Sequence, residues 1–160
     1  MVPNRTNFKK EGSLNKQEQF DQFHKSWTEI NAAYEQYARK IGISYSLLQV
    51  LCELYHAKTS MTQKALCEIC HLPKTTVNAI ISGLIKQKHV KLQEMPEDRR
   101  QKSIILTDLG HQYAAPIMEK MSTSERQAFA MLDNKTIQMM LKGIEDYQKY
   151  FNQKLNQSGE

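Results

Sequence analysis

Thr62–Leu106 reads TQKALCEICHLPKTTVNAIISGLIKQKHVKLQEMPEDRRQKSIIL, and its changes of period decide the fold. Thr62 is placed to cap a short helix carrying Ala65, Leu66 and Ile69. Cys70-His71-Leu72 supplies a turn. Pro73 opens the next helix, where its missing N–H costs nothing. There Val77, Ile80, Ile81, Leu84 and Ile85 recur at i, i+3, i+4, i+7 and i+8, a buried stripe. Lys74, Thr75, Thr76, Asn78 and Ser82 occupy the opposite, polar face. After Lys88 the period falls to two. Val90-Lys91-Leu92-Gln93-Glu94 alternates as a strand with one covered face, and Lys102-Ser103-Ile104-Ile105-Leu106 is a second strand. Met95-Pro96-Glu97-Asp98-Arg99-Arg100-Gln101 between them is too polar for strand interior. The segment predicts two helices around a tight turn, then a β-hairpin with a long charged tip.

Outward from this segment the chain is helical. Asn15 with Glu18 resembles a capping box. Phe20, Phe23, Trp27, Ile30, Tyr34, Tyr37 and Ile41 follow at spacings of 3, 4, 3, 4, 3 and 4, an unbroken apolar seam that must be buried against something. Gly42 ends that helix. Ser44 caps another, with Leu47, Leu48, Leu51 and Leu54 on its buried side. Beyond the hairpin, Thr107 and Asp108 start a helix running to about Met131, with Pro116 inside it. Asp133 caps the last helix, where Ile137, Met140, Leu141, Ile144, Tyr147, Phe151 and Leu155 form a second long stripe. The expected class is mainly α with a small β-hairpin wing. The expected divisions are an arm over 1–14, a dimerisation helix over 15–41, a winged helix-turn-helix over 42–107, C-terminal dimerisation helices over 108–156 and a tail over 157–160.

Composition narrows the function. The 160 residues include only six Gly and four Pro, so long helices are unobstructed. No apolar run approaches the ~20 residues of a membrane span. The N-terminal stretch is polar and basic rather than a signal core, so a cytoplasmic location is expected. The net charge is +5, and it is concentrated. Lys74 to Lys102 holds seven basic residues against three acidic ones, a net of +4. That concentration beside a polar helix face fits double-stranded DNA. A helix fits the major groove, and its first turn reaches base edges. Here that turn offers Lys74, Thr75, Thr76 and Asn78, with Ser82 two turns on. The hairpin tip offers Arg99, Arg100 and Lys102, and arginine on a thin wing can enter the minor groove.

At this point the chain resembles the MarR family of transcriptional regulators. The likeness is carried by Asp98-Arg99-Arg100, then Leu106-Thr107 and Gly110, which match that family's D-x-R, L-T and trailing Gly. It extends upstream through the third and fourth helices. The resemblance implies that Asp98 braces Arg100 for the minor groove and that Thr75, Thr76 and Asn78 contact the major groove. It implies a homodimer built from the first, fifth and sixth helices, through Phe20, Phe23, Trp27, Ile137, Leu141, Ile144 and Phe151. It also implies a pseudo-palindromic operator, commonly repression, and room for a small-molecule effector. Two positions depart from the pattern. His89 stands where a Gly usually ends the recognition helix, and Gly83 lies inside that helix.

Other chemistry is weakly supported. Cys67-Glu68-Ile69-Cys70-His71 matches a haem-attachment string, but Cys67 and Cys70 occupy positions where Ala and Leu would pack, and three cysteines make no disulfide framework. Cys52, between Leu51 and Leu54, is similar. His24, His56, His71, His89 and His111 form no close pair of metal-binding spacing. No nucleophile elbow, phosphate loop or H-E-x-x-H is present. The expectation is therefore no enzyme, no cofactor and no metal. The alternatives to DNA binding are a winged-helix protein-interaction module, which would show apolar residues on the first turn of the fourth helix, and a thiol-based redox switch through Cys67 and Cys70.

Overall fold

The computed structural model describes residues 14–59, 61–94 and 102–157. In chain order it has α1 (Lys16–Lys40), α2 (Tyr45–His56), β1 (Met61–Thr62), α3 (Gln63–Cys70), α4 (Lys74–Lys86), β2 (Val90–Glu94), β3 (Lys102–Leu106), α5 (Asp108–Ala130) and α6 (Asn134–Gln157). Mainly helical with a small antiparallel sheet, this is the architecture expected.

The helix starts are set by short polar side chains. Asn15 accepts from the Glu18 amide at 2.9 Å while the Glu18 carboxylate accepts from the Asn15 amide at 2.8 Å, the reciprocal capping box. Ser44, Thr62 and Thr107 each accept from the amide three residues on, and Asp133 does the same for α6. Helix ends use left-handed residues. Gly42 takes φ +77° after α1, and Ile43 donates back to the Ala38 carbonyl at 3.0 Å.

The core is a single cluster. Leu48, Val50, Leu51 and Leu54 of α2 pack with Leu66 of α3, with Val77, Ile81 and Leu84 of α4, and with Val90, Ile104 and Leu106 of the sheet. Ala114 and Met118 of α5 and Ala38 of α1 close it. Leu47 is only partly buried, and Ile85 is 39% exposed although it continues the α4 stripe.

The sheet has three strands in the order β1-β3-β2, one more than the expected hairpin. The β2–β3 register sets Val90 opposite Leu106, Leu92 opposite Ile104 and Glu94 opposite Lys102. Met61 and Thr62 pair with Ile104 and Ser103 on the other edge of β3. Two residues are too short for a period to show, so this strand had no sequence signal.

α1 and α6 differ from the other helices. α6 contributes no buried residue. The N-terminal half of α1 is equally uncovered: Phe20, Trp27 and Ile30 are 47%, 53% and 58% exposed. Only the C-terminal half of the α1 seam meets the core, where the Tyr37 hydroxyl donates to the Ile117 carbonyl at 3.0 Å. No helix among the described residues is long and apolar enough to cross a membrane.

Candidate nucleic-acid interface

α3 and α4 meet at a turn made by His71, which takes the left-handed conformation at φ 51°. Leu72 donates to the Cys67 carbonyl at 3.1 Å, and Pro73 sits at the N-cap of α4, one place before the first-turn position expected of it. Pro73 has no side chain able to cap, so the first amides of α4 are left without an intrahelical or side-chain acceptor. A helix end of this kind favours an anion such as phosphate. At its other end α4 closes on Lys88, at φ 62°. His89 donates to the Leu84 carbonyl and Lys88 to the Ile85 carbonyl, each at 2.9 Å, the Schellman pattern. The left-handed residue is thus Lys88, and His89 is not in positive φ. His89 stacks on Tyr113 with ring centroids 4.4 Å apart, and its buried Nδ1 has no hydrogen-bond partner among the described residues.

The predicted DNA-contacting residues separate into three groups. Lys74, Asn78 and Ser82 are exposed on α4 and share one cleft with the exposed Lys102 at the start of β3. Thr75 is exposed on α4 outside that cleft, and Thr76 is partly covered. Asp98, Arg99 and Arg100 lie outside the described residues. The cleft also takes in Thr62, Gln63 and Lys64 from the start of α3, which the sequence reading did not single out. Gln63 joins the two helix starts by donating to the Lys74 carbonyl at 3.5 Å. Capping residues and a solvent-facing lysine look alike in sequence whether or not a site adjoins them, so no signal could have found them.

The residues expected at a dimer surface form one external band. Leu141, Ile144 and Phe151 of α6 are 55%, 44% and 48% exposed, while Phe23 and Ile137 are half-buried. The Phe23 ring lies 4.8 Å from Tyr147, which stacks on Phe151, so the α1 and α6 stripes meet at Phe23 and Tyr147.

A smaller cavity of about 230 Å³ lies between α1, α2, α3 and α5, with Tyr34, Cys52, Cys70 and Glu125 among its walls. Burial pushes the Cys70 thiol up to about 11 and the Cys52 thiol in the same direction. Both are therefore thiols at neutral pH, the unreactive form. No group of three or more His, Cys, Asp or Glu able to hold a metal ion occurs among the described residues. The Tyr34 hydroxyl donates to Glu125 Oε1 at 2.7 Å. That bond, aided by burial, pushes the phenol from 10.0 up to about 12. The proton is held more tightly in the folded state, so this contribution to stability is complete below pH 10 and is lost as pH rises through about 12. Denaturant unfolding across the alkaline range should show a steeper loss for the wild type than for Tyr34→Phe. Parallel curves for the two proteins would contradict the bond.

Two packed helices with the second exposed along a polar face, followed by an antiparallel β2–β3 pair, define a winged helix-turn-helix. Residues 41–101 match the family model described as MarR family. The fold is similar to that of a MarR family regulator from Neisseria meningitidis, with a TM-score of 0.73 at 26% identity over 88% of this chain and 98% of that one. It is also similar to Staphylococcus aureus MepR in its DNA-binding conformation, with a TM-score of 0.68 at 18% identity over 83% of this chain and 98% of that one. Bordetella bronchiseptica BpsR, whose DNA binding is regulated by 6-hydroxynicotinic acid, gives 0.60 at 19% identity over 84% of this chain and 99% of that one. No curated protein sequence matches significantly. Residues 41–101 are thus similar to the MarR family of regulators, and the described fold is the winged helix-turn-helix of its solved members.

Proposed function

We propose that this protein is a homodimeric, sequence-specific repressor of transcription that binds a pseudo-palindromic operator and is released by a small ligand. The observation that carries the DNA reading is the meeting of Lys74, Asn78 and Ser82 of α4 with Lys102 of β3 on one exposed surface. A protein-docking surface would present apolar residues on the first turn of α4; this one presents Lys74 and Thr75. Asn pairs bidentately with adenine, Lys donates to guanine O6 and N7, and Thr75 and Thr76 serve phosphates or a thymine methyl. Arg99 and Arg100 at the wing tip reach the adjacent minor groove, with Asp98 orienting Arg100.

Residues 42–107 read the DNA in this account. The helices of 15–41 and 108–156 pair two copies through Phe20, Phe23, Trp27, Ile137, Leu141, Ile144 and Phe151. Two-fold pairing sets two copies of α4 in successive major grooves, about 34 Å apart. The regulated DNA binding of the Bordetella relative supports an effector, which must differ in affinity between DNA-bound and free forms to act at all.

Salt dependence of duplex binding tests the reading. Log affinity should fall linearly with log salt for the wild type. Arg100→Ala should weaken binding and reduce the slope by about 1, because one fewer cation held in the groove releases about one fewer counterion. Asp98→Ala should reproduce part of the loss. Equal affinities and slopes for wild type and Arg100→Ala would refute the role of the wing.

A further inference from the structure

β2 ends at Glu94 and β3 begins at Lys102, directly opposite it. Asp98, Arg99 and Arg100 lie between them in sequence, so whatever fixes these two strand ends sets where that segment is presented. β2 is an edge strand, and Lys91, Leu92, Gln93 and Glu94 are all exposed. Apolar burial therefore holds little of its far half. β3 is central, and its second residue, Ser103, is 3% exposed, the one buried polar residue among those described. Local rules disfavour serine here. A central strand prefers β-branched and aromatic side chains, and a buried hydroxyl is costly unless bonded. This hydroxyl is bonded: it donates to the carbonyl of Gln93, its own partner in the β2–β3 register, at 3.1 Å.

Ser103 also has a partner on the other edge of β3. That partner is Thr62, whose hydroxyl accepts from the Ala65 amide at 3.1 Å and so caps α3. The next residue, Gln63, donates to the carbonyl of Lys74, the first residue of α4, at 3.5 Å. A connected path thus runs from the start of α4, through the start of α3 and Ser103, to the far end of β2. A residue that breaks local preference while closing such a path is expected where function requires it.

We propose that Ser103 is a positioning residue for DNA recognition. Its hydroxyl, bonded to the Gln93 carbonyl, fixes the end of β2 relative to α4 and so sets how Arg100 meets the minor groove. The role rests on the wing reading above. At 3% exposure Ser103 is too covered to touch DNA itself, so it acts through the wing. A serine that merely stabilised the sheet would, once removed, weaken every DNA contact together. A positioning serine affects the flanking base pairs, where a narrow A·T minor groove attracts arginine, and leaves the half-site read by α4 alone.

The test uses the full chain and the inverted repeat recovered from a random duplex pool. Affinity is measured for that repeat with A·T flanks, with G·C flanks, and with one base pair changed inside the half-site. Ser103→Ala should lower the preference for A·T flanks several-fold, toward that of Arg100→Ala, with half-site discrimination unchanged. Ser103→Thr and Ser103→Val form a pair matched in shape, with and without the hydroxyl. The threonine variant should keep the flank preference and the valine variant should lose it, and the pair decides the question should Ser103→Ala fail to fold. Ser103→Ala added to Arg100→Ala should lower the preference no further, because two residues acting through one contact are not additive.

Wild-type flank preference in Ser103→Ala and Ser103→Val, beside a lowered one in Arg100→Ala, would overturn this role alone. Equal losses at flank and half-site, agreement between the threonine and valine variants, or a further loss in the double variant would do the same. An Arg100→Ala protein with wild-type flank preference would defeat the wing reading, and the role of Ser103 with it.

Discussion

Replacing Gly110 by alanine is expected to destabilise the protein by about 3 kcal/mol and to lower its Tm by roughly 6–12 °C. Gly110 is buried in the first turn of α5. A Cβ there would strike the His89 carbonyl group and come within 3.0 Å of Leu106 Cδ2. The main obstacle is backbone, which cannot rotate away as a side-chain tip can. That backbone is also committed. The His89 carbonyl accepts from the Thr107 amide at 2.9 Å, and the Thr107 hydroxyl donates to the Lys88 carbonyl at 2.7 Å while accepting from the Gly110 amide at 3.0 Å. The end of α4, the end of β3 and the start of α5 therefore meet at one joint. A methyl group at Gly110 separates them and shifts the wing relative to the recognition helix, so DNA affinity should fall as well. Gly83→Ala and Gly143→Ala are the controls. Nothing lies within 4 Å of a Cβ at either position, and alanine is the better helix former by up to about 1 kcal/mol. Thermal unfolding of the three variants checks this, and a Gly110→Ala protein that melts with the wild type would contradict the joint.

The double substitution Leu141→Asp with Ile144→Asp is expected to convert the protein into a monomer. Light scattering should then report one chain mass of 18.6 kDa where the wild type gives twice that value. Each large apolar side chain removed from water contributes about 1.5–3 kcal/mol, and two carboxylates facing their symmetry mates add a desolvation cost. No residue of α6 is fully buried within its own chain, and Leu141 and Ile144 are 55% and 44% exposed, so the aspartates leave the protomer's core untouched and its helical signal should persist. Phe20, Trp27 and Ile30 of α1 and Leu141, Ile144, Phe151 and Leu155 of α6 are all exposed, and exposed apolar surface of this kind marks interaction sites where it is contiguous. Wild-type mass in the variant would place the dimer contact elsewhere. Loss of high-affinity operator binding with retention of weak, salt-sensitive binding should accompany dissociation.

Sequence periodicity and capping chemistry made most of the architecture legible. The stripe Val77, Ile81, Leu84 fixed the buried side of α4, and the switch to period two after Lys88 located the wing strands. Asn15, Ser44, Thr62, Thr107 and Asp133 marked helix starts because a short side-chain oxygen has one favourable use there. The misses have physical causes. β1 is held by its pairing with β3, and two residues carry no pattern of their own. Ile85 continued the α4 stripe in sequence but is 39% exposed, lining the open cleft beside the wing strands rather than packing into the core. The reading surface was legible as a set of residue types on one helix face. The cleft was not, because it depends on the gap between α4 and the wing, which no local pattern encodes.

Selection from a pool of random duplexes, with the bound molecules sequenced and Arg100→Ala run in parallel, tests most directly whether this protein reads DNA as a two-fold dimer. The expected result is an enriched inverted repeat with half-site centres about one helical turn apart, enriched weakly or not at all by the variant. A pool with no enriched sequence, bound equally by wild type and Arg100→Ala, would contradict it.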